Sequence, residues 1–309
     1  MTDLAGDYDL LRKDVAAVWL DRDFVLVAGP DAVSFLQGQC SQDVAGLGVG
    51  ASAWSFVLQP QGKVDALVRA TRTAPDAVIL DIDAGSGEAL IARLSRFKLR
   101  VKADIGSLAW RCLALRGPRS PEWASTGLAG GPGSVATSGE DDSELIVVDA
   151  GWPGFPGVDL IGVEPHVPAD VALIGAGAYQ AARIEAGVPA MGAELTERTI
   201  PAETGIVERT ASFTKGCYTG QELVARIDSR GGHVARHLRG VVLAGAAPVG
   251  AAVRIGAKTV GSLTSVAAKA DGAVALAYIG RDVAPPATAL VSWEGGEVEA
   301  RIEALPLVP

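Results

Sequence analysis

From Leu238 onward, six short apolar and β-branched runs recur at intervals of about ten residues, and no other feature constrains the fold as tightly. The runs occupy 240–243, 252–255, 259–267, 274–278, 289–293 and 298–302. Asp271-Gly272 and Gly295-Gly296 lie between neighbouring runs, and such dipeptides accept the positive-φ corners of tight hairpins. The segment is therefore expected to close into a small antiparallel barrel or sandwich, as a domain of its own.

Upstream, both structural periods alternate. Residues 24–27 read as a strand entering the turn Gly29-Pro30, after which Asp31 can cap a short helix carrying Val33, Phe35 and Leu36 and ending near Gly38. Runs 53–58 and 64–69 flank Pro60-Gln61-Gly62, a hairpin signature, and 77–82 is a third strand. A helix is predicted over 88–98, with Leu90, Ile91 and Leu94 inward and Arg93, Arg96 and Lys98 facing water. Further strands are expected at 101–105, 111–115, 145–148 and 158–163. Residues 117–142, rich in Gly, Ser, Pro and Thr, read as a surface loop or insert. The order gives an α+β chain rather than a regular βαβ series.

At 309 residues the chain suits two or three packed domains. Its net charge of −9 argues against a nucleic-acid backbone as the main partner, since that contact needs clustered Lys and Arg. Arg226, Arg230, Arg236 and Arg239 read as an exposed helix face rather than a binding stripe. Cys40, Cys112 and Cys217 are widely spaced and form no CxxC, which fits a reduced, cytoplasmic protein. His166, His233 and His237 do not make a zinc pattern, and no apolar run approaches the ~20 residues that span a bilayer.

Two stretches carry candidate chemistry. In Lys215-Gly216-Cys217-Tyr218-Thr219-Gly220-Gln221-Glu222, a thiol lies near two glycines, ahead of an apparent helix start. Thr219 and Glu222 have capping-box spacing, and Leu223, Val224 and Ile227 mark an apolar face. Lys215 and the helix N-terminus would both favour thiolate; the alternative is a buried, inert cysteine. The second stretch is the helix over 178–186, closed by Gly187 and Pro189, which puts Glu185 at a C-terminus where the dipole disfavours it. A ligand edge or a neighbouring cation is needed to compensate. The turn Gly151-Trp152-Pro153-Gly154-Phe155-Pro156-Gly157 is expected to pack its rings, either onto a strand end or onto something further.

Arg183-Ile184-Glu185-Ala186-Gly187-Val188-Pro189 and the 215–222 octet resemble the folate-binding YgfZ family, relatives of the glycine-cleavage T-protein. Residues 31–38 and Pro60-Gln61-Gly62-Lys63-Val64 resemble that family's N-terminal landmarks, and Ala225-Arg226 with Arg230-Gly231 its continuation. The resemblance implies three domains in a ring around a folate pocket. These would be a T-protein-like domain of 1–50 with 110–236, an inserted ferredoxin-like α+β domain of 51–109, and an antiparallel β-barrel of 237–309. It implies tetrahydrofolate, or a one-carbon-substituted folate, as cofactor, held by Glu185 with Tyr218 and Arg226. Cys217 would be the functional cysteine and Lys215 its nearby cation.

The function so implied is support of iron–sulfur cluster assembly or repair, including for enzymes of tRNA modification. Partners would be folate and iron–sulfur client or assembly proteins, with no direct nucleic-acid contact and no membrane. One departure bears on the alternative, a folate-dependent aminomethyltransferase or demethylase. Where the T-protein carries an aspartate four or five residues after the hairpin glycine, this chain has Ala66 and Leu67. Asp65 lies one residue short, and a one-residue shift on a strand reverses the face. The reading as a whole expects Glu185 and Cys217 to converge on one cavity between domains.

Overall fold

The computed structural model describes residues 4–121, 135–137 and 144–308, and its strands form two open sheets and a closed barrel. The chain begins α1 (Leu4–Lys13), β1 (Ala16–Leu20), β2 (Arg22–Ala28), α2 (Ala32–Gln39), β3 (Ser52–Leu58), β4 (Val64–Ala74) and β5 (Ala77–Asp83). It continues α3 (Gly87–Phe97), β6 (Asp104–Leu108), β7 (Arg111–Arg116), β8 (Val135–Thr137), β9 (Glu144–Asp149), β10 (Gly157–Gly162) and β11 (Ala172–Leu173). The helices α4 (Ala176–Glu185), α5 (Val207–Thr210) and α6 (Gln221–Ser229) then lead into the barrel. Its strands are β12 (Arg236–Leu243), β13 (Ala252–Ile255), β14 (Lys258–Lys269), β15 (Gly272–Gly280), β16 (Ala287–Trp293) and β17 (Gly296–Glu303). Among the described residues no helix is long and apolar enough to cross a membrane.

The first sheet has the order β11-β1-β7-β10-β9-β8 and the second β3-β4-β5-β2-β6. Period-two alternation on β2 sorts its two faces. Val25 and Val27 join Leu36 of α2 and Leu90 and Leu94 of α3 in one core, while Phe24 turns to Cys112, Ile146 and Ile161 of the first sheet. Each fully buried leucine there contributes roughly 1.5–3 kcal/mol of transfer free energy. The helices thus cover one face of the second sheet, and the first sheet covers part of the other.

The six expected C-terminal strands all form and close in the order β12-β15-β14-β13-β16-β17. Closure leaves no open edge, and Ala275, Ala277 and Ala289 keep the interior narrow beside Val253, Leu263 and Val291. A register shift between Leu263 and Ser265 re-aims Ser265 out of the barrel, where it bonds Arg183 and Glu194.

The middle unit differs from the expected boundaries. β2 pairs with β5 from Arg22↔Asp83 to Ala28↔Ala77 and with β6 on its other side, so that unit begins at β2 rather than at residue 51. These partners lie far along the chain, beyond the reach of a local pattern. The strand expected at 101–105 forms instead at Asp104–Leu108. Asp31 is the N-cap residue of α2 as expected, but its side chain makes no cap bond; the carboxylate accepts the Lys102 N–H at 2.8 Å instead. Most of the loop read at 117–142 lies outside the described residues.

Candidate functional site

Where the two open sheets meet α4 and the segment 188–191, the fold leaves a cavity of about 340 Å³, within the ~300–1,000 Å³ usual for small-molecule sites. Trp54 from β3, Leu67 from β4, Tyr179 from α4, Met191 and Trp152 are among its walls. Trp152 comes from the 151–157 turn, which a backbone pair between Trp152 and Phe155 at 2.9 Å holds closed. Phe155 enters the core while Trp152 reaches the cavity and meets Trp54, with ring centroids 5.4 Å apart and planes at 52°. Such walls suit a flat conjugated ring.

One side of the cavity is ionic. Arg22 donates to Asp81 at 2.6 Å and to Asp83 at 2.9 Å. Arg69 donates to Asp81 at 2.9 Å and to Asp159 at 2.7 Å, and Arg116 lies 2.7 Å from Asp159. Three guanidiniums and three carboxylates thus balance in charge and tie the second sheet to the first. Burial opposes ionisation of Asp159, but the charges of Arg116 and Arg69 outweigh it and hold its carboxyl down at about 2. The Nη2 of Arg22 is buried without a partner among the described residues.

The octet of 215–222 folds against α2 and the β3–β4 hairpin. Ser212 N bonds Ser41 O and Thr219 N bonds Gly38 O, both at 3.0 Å. Gly220 has φ 80°, and a Cβ there would fall 2.5 Å from Gln59 O; a Cβ on Gly62 would fall 2.4 Å from the Leu223 Cβ. Two glycines therefore allow hairpin and helix start to touch. Gly220, not Thr219, is the N-cap of α6, and no side-chain cap bond forms. The Thr219 hydroxyl turns to Gly38 O at 3.4 Å, so the expected capping box is absent.

Cys217 is exposed, so the buried, inert alternative does not hold; Cys40 and Cys112 are the buried thiols. Lys215 does not serve Cys217. Its ammonium donates to the carbonyls of Gln37 (2.7 Å), Cys40 (2.7 Å) and Gln42 (2.9 Å). Tyr218 is buried in a cluster with Phe56, Leu58, Leu67 and Val224, against which Trp54, Trp152 and Met191 pack; it therefore supports the cavity from behind rather than lining it. Burial pushes its phenol up to about 12. Arg226 is exposed on α6 and does not line the cavity.

Glu185 is buried but also lies outside the cavity lining. Its carboxylate accepts from Lys269 at 2.6 Å and from the Tyr8 hydroxyl. The compensation that its position at the end of α4 demands is met within the chain, by a cation and a phenol. Glu185 and Cys217 therefore do not converge on the central cavity.

Asp65 pairs with Arg93 at 2.8 Å, and Arg93 also bonds Gln39 and the Leu58 carbonyl, so this arginine is largely buried rather than facing water. Leu67 presents an apolar side chain to the cavity. The lining residues Arg22, Arg116, Asp159 and Tyr179 had no motif to mark them, because they come from four elements. Arg183 stood within the quoted Arg-Ile-Glu segment, and Trp152 within the aromatic turn.

Residues 23–128 match the model of the GCVT N-terminal domain. An aminomethyltransferase of Rubrobacter xylanophilus is 29% identical over 67% of this chain and 59% of its own length. A protein of Aspergillus oryzae named iron–sulfur cluster assembly factor IBA57 homolog, mitochondrial, is 28% identical over 68% of this chain and 53% of its own. The match thus spans less than two thirds of either relative. The glycine cleavage system aminomethyltransferase T of Bartonella henselae superposes with a TM-score of 0.83 over 99% of this chain and 89% of that one, at 21% identity. The chain therefore has the fold of that aminomethyltransferase, and in sequence it is similar both to such transferases and to an iron–sulfur assembly factor.

Proposed function

We propose that the chain binds a reduced folate in the central cavity and serves iron–sulfur cluster assembly or repair, with Cys217 as its working thiol. Two observations carry this reading: an exposed cysteine on a loop fastened to α2 and the hairpin, and, apart from it, a cavity to which the hairpin strand β4 contributes Leu67 instead of a carboxylate. Aminomethyl transfer needs a group that moves a proton at the folate nitrogen, and removing such a group typically slows that step by about 10²–10⁴-fold. Asp65, the nearest carboxylate in sequence, is engaged by Arg93. The similarity to a protein named an iron–sulfur cluster assembly factor supports the same choice.

The cavity fits the pterin. Trp54 and Trp152 offer faces for the ring, and Asp83 an acceptor for ring N–H groups. Glu185 has no part in this binding. Iron–sulfur-dependent tRNA modification would be reached through the client enzymes. Calorimetry with tetrahydrofolate tests the first half: the wild type binds, and Trp54→Ala weakens binding about tenfold, a loss of roughly 1.4 kcal/mol. In cells, Cys217→Ser should lower the activity of [4Fe–4S] enzymes while the purified variant melts as the wild type does. Steady turnover of an amine donor with tetrahydrofolate would replace this reading with the transferase.

A further inference from the structure

A second, smaller cavity shares Trp152 with the first. It measures about 140 Å³ and gathers Pro153, the end of α4 at Gly187, the turn at Gly205, and Arg239 and Leu305 from the barrel side. Two guanidiniums, of Arg209 and Arg239, line it, and no carboxylate does. Arg209 uses one Nη2 proton on Gly151 O at 2.7 Å and sits 4.7 Å over the Trp152 ring. Among the described residues Arg239 has a single side-chain bond, a 3.5 Å contact to the carbonyl of its own neighbour Leu238. Neither pairs with a carboxylate among the described residues.

The contrast with the other inward-facing arginines is physical. Arg22, Arg69 and Arg116 each lie beside an aspartate that compensates their burial. Arg239 has none, and burial alone lowers its pKa. A half-buried cation with open donors and no counter-charge is an unbalanced arrangement, and a bound anion would balance it. The two cations come from separate parts of the fold, α5 and β12, so the cavity exists only in the assembled molecule.

We propose that Arg209 and Arg239 form an oxyanion-binding subsite that takes a single carboxylate or phosphate group beside Trp152. The group has two sources of the same chemistry, the γ-glutamyl tail of a folate reaching past Trp152, or a free phosphate group. The first rests on the folate reading above; the second stands without it.

Calorimetry on the full chain tests the subsite with inorganic phosphate and with glutarate. The wild type should bind at least one of them, more weakly as salt is raised, and Arg239→Met should weaken that binding about tenfold. Arg209→Met, at an exposed position, should act in the same direction, and Arg239→Lys should restore part of the affinity. Tetrahydrofolate as mono- and triglutamate then separates the sources. If the tail is the ligand, the triglutamate binds more tightly, and Arg239→Met removes that advantage while leaving the monoglutamate unchanged. If phosphate binds and the two folates do not differ, the free phosphate group is the ligand. Phosphate binding without folate binding would remove the folate reading and keep the subsite. Phosphate, glutarate and triglutamate all indifferent to both arginine variants would overturn it.

Discussion

The ammonium of Lys215 has three protons, and the carbonyls of Gln37, Cys40 and Gln42 accept them within 2.9 Å. Gln37 lies in the last turn of α2 and Cys40 is its C-cap, where carbonyls lack intrahelical partners. Lys215 is thus a main-chain clamp, and its consequence for Cys217 is position. Lys215→Met should leave these carbonyls short of donors and lower stability by about 1–3 kcal/mol. Alkylation of Cys217 at neutral pH should then speed up as the loop loosens, followed by mass spectrometry. Slower alkylation with unchanged stability would mean that the ammonium acts on the sulfur after all. The sequence identified both residues of this loop but not their relation, because a lysine's direction depends on acceptors some 175 residues away. Nor could it separate Cys217 from Cys40, whose thiol burial pushes up to about 11.

Elements were legible where one face of a periodic run is buried against near neighbours. The hairpins β14–β15 and β16–β17 and the one around Gly62 were readable for that reason, since their partners follow within a few residues, whereas β12 was readable as a strand although its partners are β15 and β17. β2 was readable as a strand but not as a member of the middle sheet, since its partners are β5 and β6. The ionic seam between the sheets was invisible for the same reason: Arg69 on β4 finds Asp159 on β10 only after both sheets have formed. That seam carries a pH dependence. The Asp159 carboxyl titrates at about 2 in the folded chain against an ordinary 3.8, so its stabilisation is complete above about pH 4 and is lost as the pH falls through about 2. Asp159→Asn should destabilise the protein by about 3–5 kcal/mol near neutrality, because Arg69 and Arg116 lose their shared partner. Denaturation in urea should show the gap closing as the pH approaches 2. A gap constant from pH 6 to pH 2 would mean that the carboxylate's charge contributes nothing to the seam.

Over the whole molecule, the barrel is held to the first sheet's helices by polar contacts around α4. Lys269 at the end of β14 and Tyr8 of α1 both reach the Glu185 carboxylate, and Leu307 N donates to the Glu185 carbonyl at 2.7 Å. Two residues earlier, Arg183 bonds Ser265 of β14, which in turn donates to Glu194. Glu185 is therefore a joint between the N-terminal helix, α4 and the barrel. The sequence exposed the anomaly of a carboxylate at a helix end, and only the assembled chain shows that Lys269, 84 residues on, resolves it. Glu185→Ala leaves a cation and a phenol facing a void and should lower stability by about 3 kcal/mol, read as a fall in the thermal midpoint. Its affinity for tetrahydrofolate should stay within about twofold of the wild type, because the cavity walls are untouched. Trp54→Ala should show the reverse pattern, with affinity lost and the barrel joint intact. A Glu185→Ala protein that melts normally yet binds the folate about tenfold less tightly would return this carboxylate to the ligand and undo its assignment as a joint.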